Sequence, residues 1–195
     1  LDRGGFSKVM LLLTPGRAGQ RAHLESLLGD RLAGVYAGAK LHVPVDVVAD
    51  AMAAFGRFQP QSLLAFGGGS AVGLGKALAF ETKVPLAAIA TTYSGSEMTA
   101  VWGNSDGKMK RTFRNTEVAP RLVLYDPELT YDLSPSVSAA SGMNAIAHCV
   151  EAEYAPERGP VTSWFALGGL KHLAANLAAV VSDPAAVDAR SNALF

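Results

Sequence analysis

Apolar and polar positions fall into two textures along the chain. Lys8 to Thr14 (K-V-M-L-L-L-T) is an unbroken apolar run stopped by Pro15 and Gly16, the pattern of a strand buried on both faces. Ala33 to Ala37 reads as a second strand and Ser62 to Phe66 as a third. Val84 to Ala90 reads as a fourth, with Pro85 at its start, where a missing N–H is tolerated. Helical spacing separates them over Arg17–Leu28, over Pro44–Phe55 with Pro in the first turn, and from Ala71 to about Phe80. Strands alternating with helices at this spacing predict βαβ units, a parallel sheet and right-handed crossovers.

Asp106-Gly107 is a strong turn signal inside Val101–Phe113 and predicts a β-hairpin. Leu122–Tyr125 reads as a further strand, closed by Asp126-Pro127. Beyond Pro135 the texture becomes helical: Ser136–Tyr154, Val161–Val181 and Ala185–Phe195, punctuated by Pro156, Gly159, Pro160 and Asp183-Pro184. The expected fold class is α/β: a Rossmann-like parallel-sheet domain over residues 1–132, followed by the start of an all-helical domain over 133–195. The apolar end at Ala193, Leu194 and Phe195 lacks a stop signal, so the chain is expected to be part of a longer protein.

Composition narrows the function classes. The chain has 195 residues, with 17 basic and 17 acidic side chains balancing to zero, which argues against nucleic-acid binding. Gly, Pro or a charge interrupts each apolar run before the ~20 residues of a membrane span, so no membrane association is expected. The single cysteine, Cys149, excludes an internal disulfide framework and a cysteine-rich zinc site. The expected compartment is a reducing cytoplasm.

Two loops carry candidate chemistry. Gly67-Gly68-Gly69-Ser70 lies between a strand and a helix. Glycines without Cβ atoms let backbone N–H groups approach a ligand, and the helix dipole favours a diphosphate. The loop is neither G-x-G-x-x-G nor a P-loop, and a tight turn without ligand fits it about equally well; its place at the carboxyl end of a parallel strand favours a ligand. Thr91-Thr92-Tyr93-Ser94-Gly95-Ser96-Glu97 follows the next strand. Ser94 and Glu97 fit the S-x-x-E capping box, but beside the glycine loop these hydroxyls read better as part of a nucleotide site.

Asn144 and His148 lie one helical turn apart among apolar residues, on one face of a helix. A histidine in that setting is more often a hydrogen-bonded core residue than an acid or a ligand.

Taken in order, these motifs resemble the iron-containing (group III) alcohol dehydrogenase family, and within it the maleylacetate reductase branch. The matching stretches are His42-Val43-Pro44, F-G-G-G-S-A-V-G-L-G-K-A (66–77), T-T-Y-S-G-S-E-M-T (91–99), Tyr125-Asp126-Pro127-Glu128-Leu129 and S-G-M-N-A-I-A-H-C-V-E-A (141–152). The resemblance implies a dehydroquinate synthase-like fold. It departs from the general pattern where Asn144 replaces a metal-binding Asp, where Gly73 replaces an Asp three residues before Lys76, and where the threonine loop is one residue short.

The resemblance implies reduction of the C=C bond of maleylacetate to 3-oxoadipate in aromatic-compound breakdown, with NADH or NADPH and without a required metal. An Asn carbonyl is a poorer ligand for Fe²⁺ or Zn²⁺ than a carboxylate. His148 is the expected proton donor, with Asn144 beside it. Gly67, Gly68, Gly69, Ser70, Thr91, Thr92, Ser94 and Thr14 are expected at the cofactor. Tyr93 and Lys110 are expected at the dicarboxylate substrate. Thr14-Pro15 carries no acid to repel a 2′-phosphate. A homodimer is expected by the same resemblance. The alternatives are a metal-dependent alcohol dehydrogenase in which Asn144 still ligates, and a non-catalytic nucleotide-binding fragment.

Overall fold

The computed structural model describes residues 5–156 and 158–195, and the chain divides into two compact units.

The first unit takes in the chain through Ala90 together with Ser96–Leu124. Its strands are β1 (Val9–Leu13), β2 (Leu32–Tyr36), β3 (Ser62–Gly67), β4 (Leu86–Ala90) and β7 (Leu122–Tyr125), joined in a five-stranded sheet of order β2-β1-β3-β4-β7. The pairs β1–β2, β1–β3 and β3–β4 are parallel, with Leu13 opposite Phe66 and Gly67 opposite Ala90. Every residue of β1 and β3 is buried, as their continuous apolar runs require. Pro85 stands just before β4 and accepts from Leu63 N through its carbonyl at 2.9 Å.

The helices are α1 (Ala18–Leu28), α2 (Val45–Phe58) and α3 (Gly69–Thr82). α2 buries Val47, Ala51 and Ala54 at helical spacing. α3 is different: Ala71 through Ala79 are all buried, because it packs against β1, β3, β4, α2 and the Val101–Ser105 strand. Its glycines make room for this. A Cβ on Gly75 would stand 2.8 Å from Leu86 Cδ1, and one on Gly73 would stand 2.9 Å from Val43 Cγ2. The valine at 43 therefore occupies the space that an aspartate at 73 would need. Leu74 and Leu78 are completely buried on α3, each contributing about 1.5–3 kcal/mol by leaving water.

The expected hairpin is present as β5 (Val101–Ser105) and β6 (Lys110–Arg114), antiparallel with Gly103 opposite Thr112. Asp106 Oδ1 accepts from the N–H groups of Lys108 (2.9 Å) and Met109 (2.8 Å), and Gly107 has φ +87°, the local chemistry the Asp-Gly pair demands. These N–H bonds hold the Asp106 carboxyl below its usual range.

The second unit consists of Thr91–Gly95 and Tyr125–Phe195. It holds α4 (Pro135–Tyr154), α5 (Pro160–Ser182) and α6 (Val187–Leu194). Ser134 caps α4, its Oγ accepting from Val137 N at 3.3 Å. The units divide at Leu124/Tyr125 rather than at the expected 132/133, and the threonine loop goes with the helices. The expectation that no apolar segment reaches the length of a membrane span needs correction. α5 has 23 residues and a window of mean hydropathy 1.3, long and apolar enough to cross a bilayer. Length and composition do not separate a span from a packing helix, and here α5 lies against α4 and α6 with Ala166, Leu173, Leu177 and Val180 buried.

Candidate functional site

In the first unit the chain runs from β1 outward to β2 on one side and back to β3 on the other. The order reverses between β1 and β3, and the carboxyl ends of strands at such a reversal are where open α/β sheets bind ligands. Thr14 follows β1 there, half-buried, with its carbonyl accepting from Arg17 N at 3.0 Å. Gly67 ends β3 at φ +148°, with Ala71 Cβ only 3.0 Å from where its own Cβ would sit. Gly68 has extended backbone and stands at the N-cap of α3, its carbonyl accepting from Ala71 N and Val72 N. Gly69 is exposed and Ser70 half-buried. The start of a 14-residue helix thus meets a nearly side-chain-free turn at the switch point. That suits the backbone N–H groups to an anionic ligand.

α3 also carries Lys76, a completely buried amine. Its Nζ donates to the Ser96 carbonyl, to Thr99 Oγ1 at 2.9 Å and to the Val101 carbonyl at 2.9 Å. Burial pulls its pKa down to about 8, with the Glu97 carboxylate acting in the opposite direction. In the sequence Lys76 serves only as a motif landmark, three residues after Gly73. Its structural signal was a lone lysine in the middle of an otherwise apolar helix.

Lys110 is exposed on β6, opposite Ser105 in the ladder. A cavity of about 230 Å³ lies beside the hairpin, lined by Val45, Asn104, Asp106, Met109, Arg111 and Phe113, without Lys110.

In the second unit, the threonine loop forms no α-helix that Ser94 could cap; the segment makes a single 3-10 turn at Ser96–Met98. Thr91 is buried, while Thr92 and Ser94 are half-buried and share a hydrogen bond, Thr92 Oγ1 donating to Ser94 Oγ at 3.3 Å. Tyr93 is only 5% exposed. Its hydroxyl donates to Thr130 Oγ1 at 3.4 Å and accepts from Arg190 Nη1 at 3.3 Å.

The same loop meets α4, where Asn144 Nδ2 donates to the Ser94 carbonyl at 3.4 Å. His148 stands exposed one turn further along, Nδ1 lying 3.3 Å from Glu151 Oε2. The structure therefore unites Asn144, His148, Thr92, Tyr93 and Ser94 in one compact unit. It leaves Thr14, the glycine loop and Lys110 in the other.

As metal donors, Asn144 offers a neutral carboxamide and His148 a neutral imidazole, two ligands on one helix. Among the described residues no group of three or more His, Cys, Asp or Glu converges. The donors among the described residues do not fit a complete iron site.

A five-stranded sheet with a glycine turn at its switch point, followed by a helical unit carrying Asn144 and His148, is an α/β architecture of the kind seen in the iron-containing alcohol dehydrogenase of Corynebacterium glutamicum, which superposes with a TM-score of 0.91 at 35% identity over 99% of this chain and 54% of that one. The chain belongs to the iron-containing alcohol dehydrogenase family, whose model it matches over residues 1–127. It is 40% identical to the maleylacetate reductase of Burkholderia cepacia over all of this chain and 55% of that protein. It is 42% identical to maleylacetate reductase 2 of Cupriavidus pinatubonensis, over all of this chain and 54% of that one. The crystal structure of the Agrobacterium tumefaciens maleylacetate reductase superposes with a TM-score of 0.94 at 40% identity, covering 99% of this chain and 55% of that one. The chain thus spans about half the length of the curated relatives it matches.

Proposed function

We propose that this chain supplies the coenzyme-binding unit and the first catalytic helix of a cytoplasmic, NAD(P)H-dependent maleylacetate reductase acting as a homodimer. The observation that carries the reading is Asn144. The position tied to a metal carboxylate in the general family pattern holds a neutral amide, and its Nδ2 is spent on the Ser94 carbonyl.

The backbone N–H groups of Gly68, Gly69 and Ser70 bind the coenzyme diphosphate at the start of α3, and Thr14 borders it at the end of β1. Thr91, Thr92 and Ser94 provide hydroxyls for the coenzyme. Because Thr14 is followed by Pro15 and not by an acid, a 2′-phosphate meets no repulsion and either coenzyme is accepted. Bound NAD(P)H supplies the hydride. The substrate double bond is conjugated to carbonyls and already electrophilic, so a hydrogen-bond donor suffices where charge grows on oxygen. His148 donates that proton from Nε2 in its doubly protonated form, with its Nδ1–H directed at the Glu151 carboxylate. Asn144 orients the loop main chain beside it. Lys110 contributes positive charge for the dicarboxylate.

The test is NADH and NADPH consumption by the intact chain with maleylacetate, compared with simple alcohols and aldehydes, with and without EDTA. Turnover of maleylacetate that EDTA leaves intact is expected. Activity confined to alcohols and abolished by EDTA overturns the proposal, and coenzyme binding without turnover of any substrate makes the chain a binding module.

A further inference from the structure

Arg190 is the largest fully buried side chain in the described structure, and neither the sequence motifs nor the proposed chemistry uses it. A buried guanidinium is costly unless each donor finds an acceptor. Here Nε donates to the Pro184 carbonyl at 2.8 Å, Nη2 to the Val180 carbonyl at 3.4 Å, and Nη1 to both the Thr130 carbonyl and Tyr93 Oη. The protons then run in one direction. Tyr93 Oη accepts from Arg190 and gives its own proton to Thr130 Oγ1, which donates to the Pro127 carbonyl at 2.7 Å. A cation heading such a relay polarises every bond behind it.

The relay passes through Tyr93, a buried side chain of the threonine loop flanked by Thr92 and Ser94. Ser94 accepts from Asn144 through its carbonyl. We infer that Arg190 is a positioning residue: it anchors Tyr93 and thereby holds the loop main chain, with the Thr92 and Ser94 hydroxyls and the Asn144 contact, in the arrangement that receives coenzyme. This rests on the coenzyme reading proposed above. It also makes Tyr93 the loop's anchor, not a group that touches substrate.

The experiment compares wild type, Tyr93→Phe, Arg190→Met, Arg190→Lys and the Tyr93→Phe/Arg190→Met double variant of the intact chain. Three quantities are read: the affinity for NADH and NADPH, the KM and kcat of the reduction, and amide exchange over residues 91–95. Arg190→Met is expected to raise the coenzyme Kd and KM about tenfold, equivalent to ~1.4 kcal/mol, with kcat within about twofold and faster exchange in the loop. Tyr93→Phe keeps the ring and shows the same pattern more weakly, which keeps the test alive if Arg190→Met does not fold. Arg190→Lys restores part of the affinity, and the double variant is no worse than Arg190→Met alone, since both break one relay. Lower melting temperatures with unchanged Kd and unchanged loop exchange overturn the inference, as do fully additive effects. A wild-type chain that takes up neither coenzyme overturns the proposed function instead, and removes the inferred link to affinity even where loop exchange responds.

Discussion

The Nζ of Lys76 donates to the Val101 carbonyl across 2.9 Å, tying the interior of α3 to the first residue of the hairpin. With Ser96 and Thr99 as its other acceptors, this amine closes the first unit directly after the chain returns from the threonine loop. A lysine is held there at a cost to its charged form, and that cost is measurable through pH.

The Lys76 pKa is about 8 in the folded chain, against an ordinary 10.5. Between those values the unfolded chain keeps a proton that the folded chain has released. Folding stability therefore rises with pH across that window. Tyr36 works in the opposite sense higher up. Burial and the neighbouring Asp50 raise its pKa from 10.0 to about 12, so above pH 10 the folded chain holds the extra proton and stability falls. Urea unfolding from pH 7.5 to 11 is expected to show a rise to about pH 10 and a decline beyond it. Lys76→Met removes the rise and leaves the decline. A wild-type profile flat between pH 8 and 10 contradicts the burial argument.

Two adjacent glycines are expected to fail differently. Gly67 has φ +148° and a Cβ position 3.0 Å from Ala71 Cβ, so Gly67→Ala strains the backbone at a cost of about 1–3 kcal/mol. Gly68 has φ −89° and ψ −158°, which any residue adopts. Gly68→Val is therefore expected to fold with nearly unchanged urea midpoint and to lose coenzyme binding, because its side chain crowds the diphosphate. Coenzyme titration followed by fluorescence separates the two. Unchanged affinity in Gly68→Val takes the glycine turn out of the site.

The proton donor is tested by His148→Gln, which retains a hydrogen-bonding group but cannot carry the proton. General acid catalysis is typically worth about 10²–10⁴ in rate, and a kcat loss in that range is expected with the coenzyme Kd unchanged. His148 is exposed and its Glu151 contact is a surface pair, so the melting temperature is expected to stay within experimental scatter. A variant with normal kcat returns His148 to the surface of α4.

Much of the first unit was legible because its signals are local. β1 and β3 are continuous apolar runs, Asp106-Gly107 dictates its own turn through Asp106 Oδ1, and Pro85 stops short of β4. The glycine turn could be placed at a strand end from sequence alone. The threonine loop could not be assigned to the helical unit, because what draws it there is Arg190, 97 residues further along the chain. The S-x-x-E pattern, already outweighed in the sequence by the neighbouring glycine loop, is not a cap here. Ser94 is engaged by Thr92 and Asn144, and Glu97 is buried in a 3-10 turn, so no α-helix follows for them to cap. Tyr93 is placed at the substrate by resemblance alone, and the sequence does not show that its ring is buried with its hydroxyl bonded to Thr130 and Arg190.

The packing of α4 on α5 depends on a glycine that sequence reading treated as part of a motif. Gly142 is buried, and a Cβ placed there would overlap Leu177 Cδ1, with Cδ2 at 2.9 Å and Cγ at 3.2 Å. Leu177 is itself buried on α5, so it can yield only by taking another rotamer inside a packed interface. Helix propensity favours alanine over glycine by about 1 kcal/mol, whereas overpacking costs about 1–3 kcal/mol. The clash outweighs the propensity gain, and Gly142→Ala is expected to destabilise the second unit. Leu177→Ala alone opens a cavity and costs about 2–5 kcal/mol. In Gly142→Ala/Leu177→Ala the new methyl enters the vacated space and the propensity gain reappears. The double variant is therefore expected to lose less than the sum of the singles, by at least about 1 kcal/mol, in urea unfolding of the intact chain. Strict additivity means that the two helices meet elsewhere.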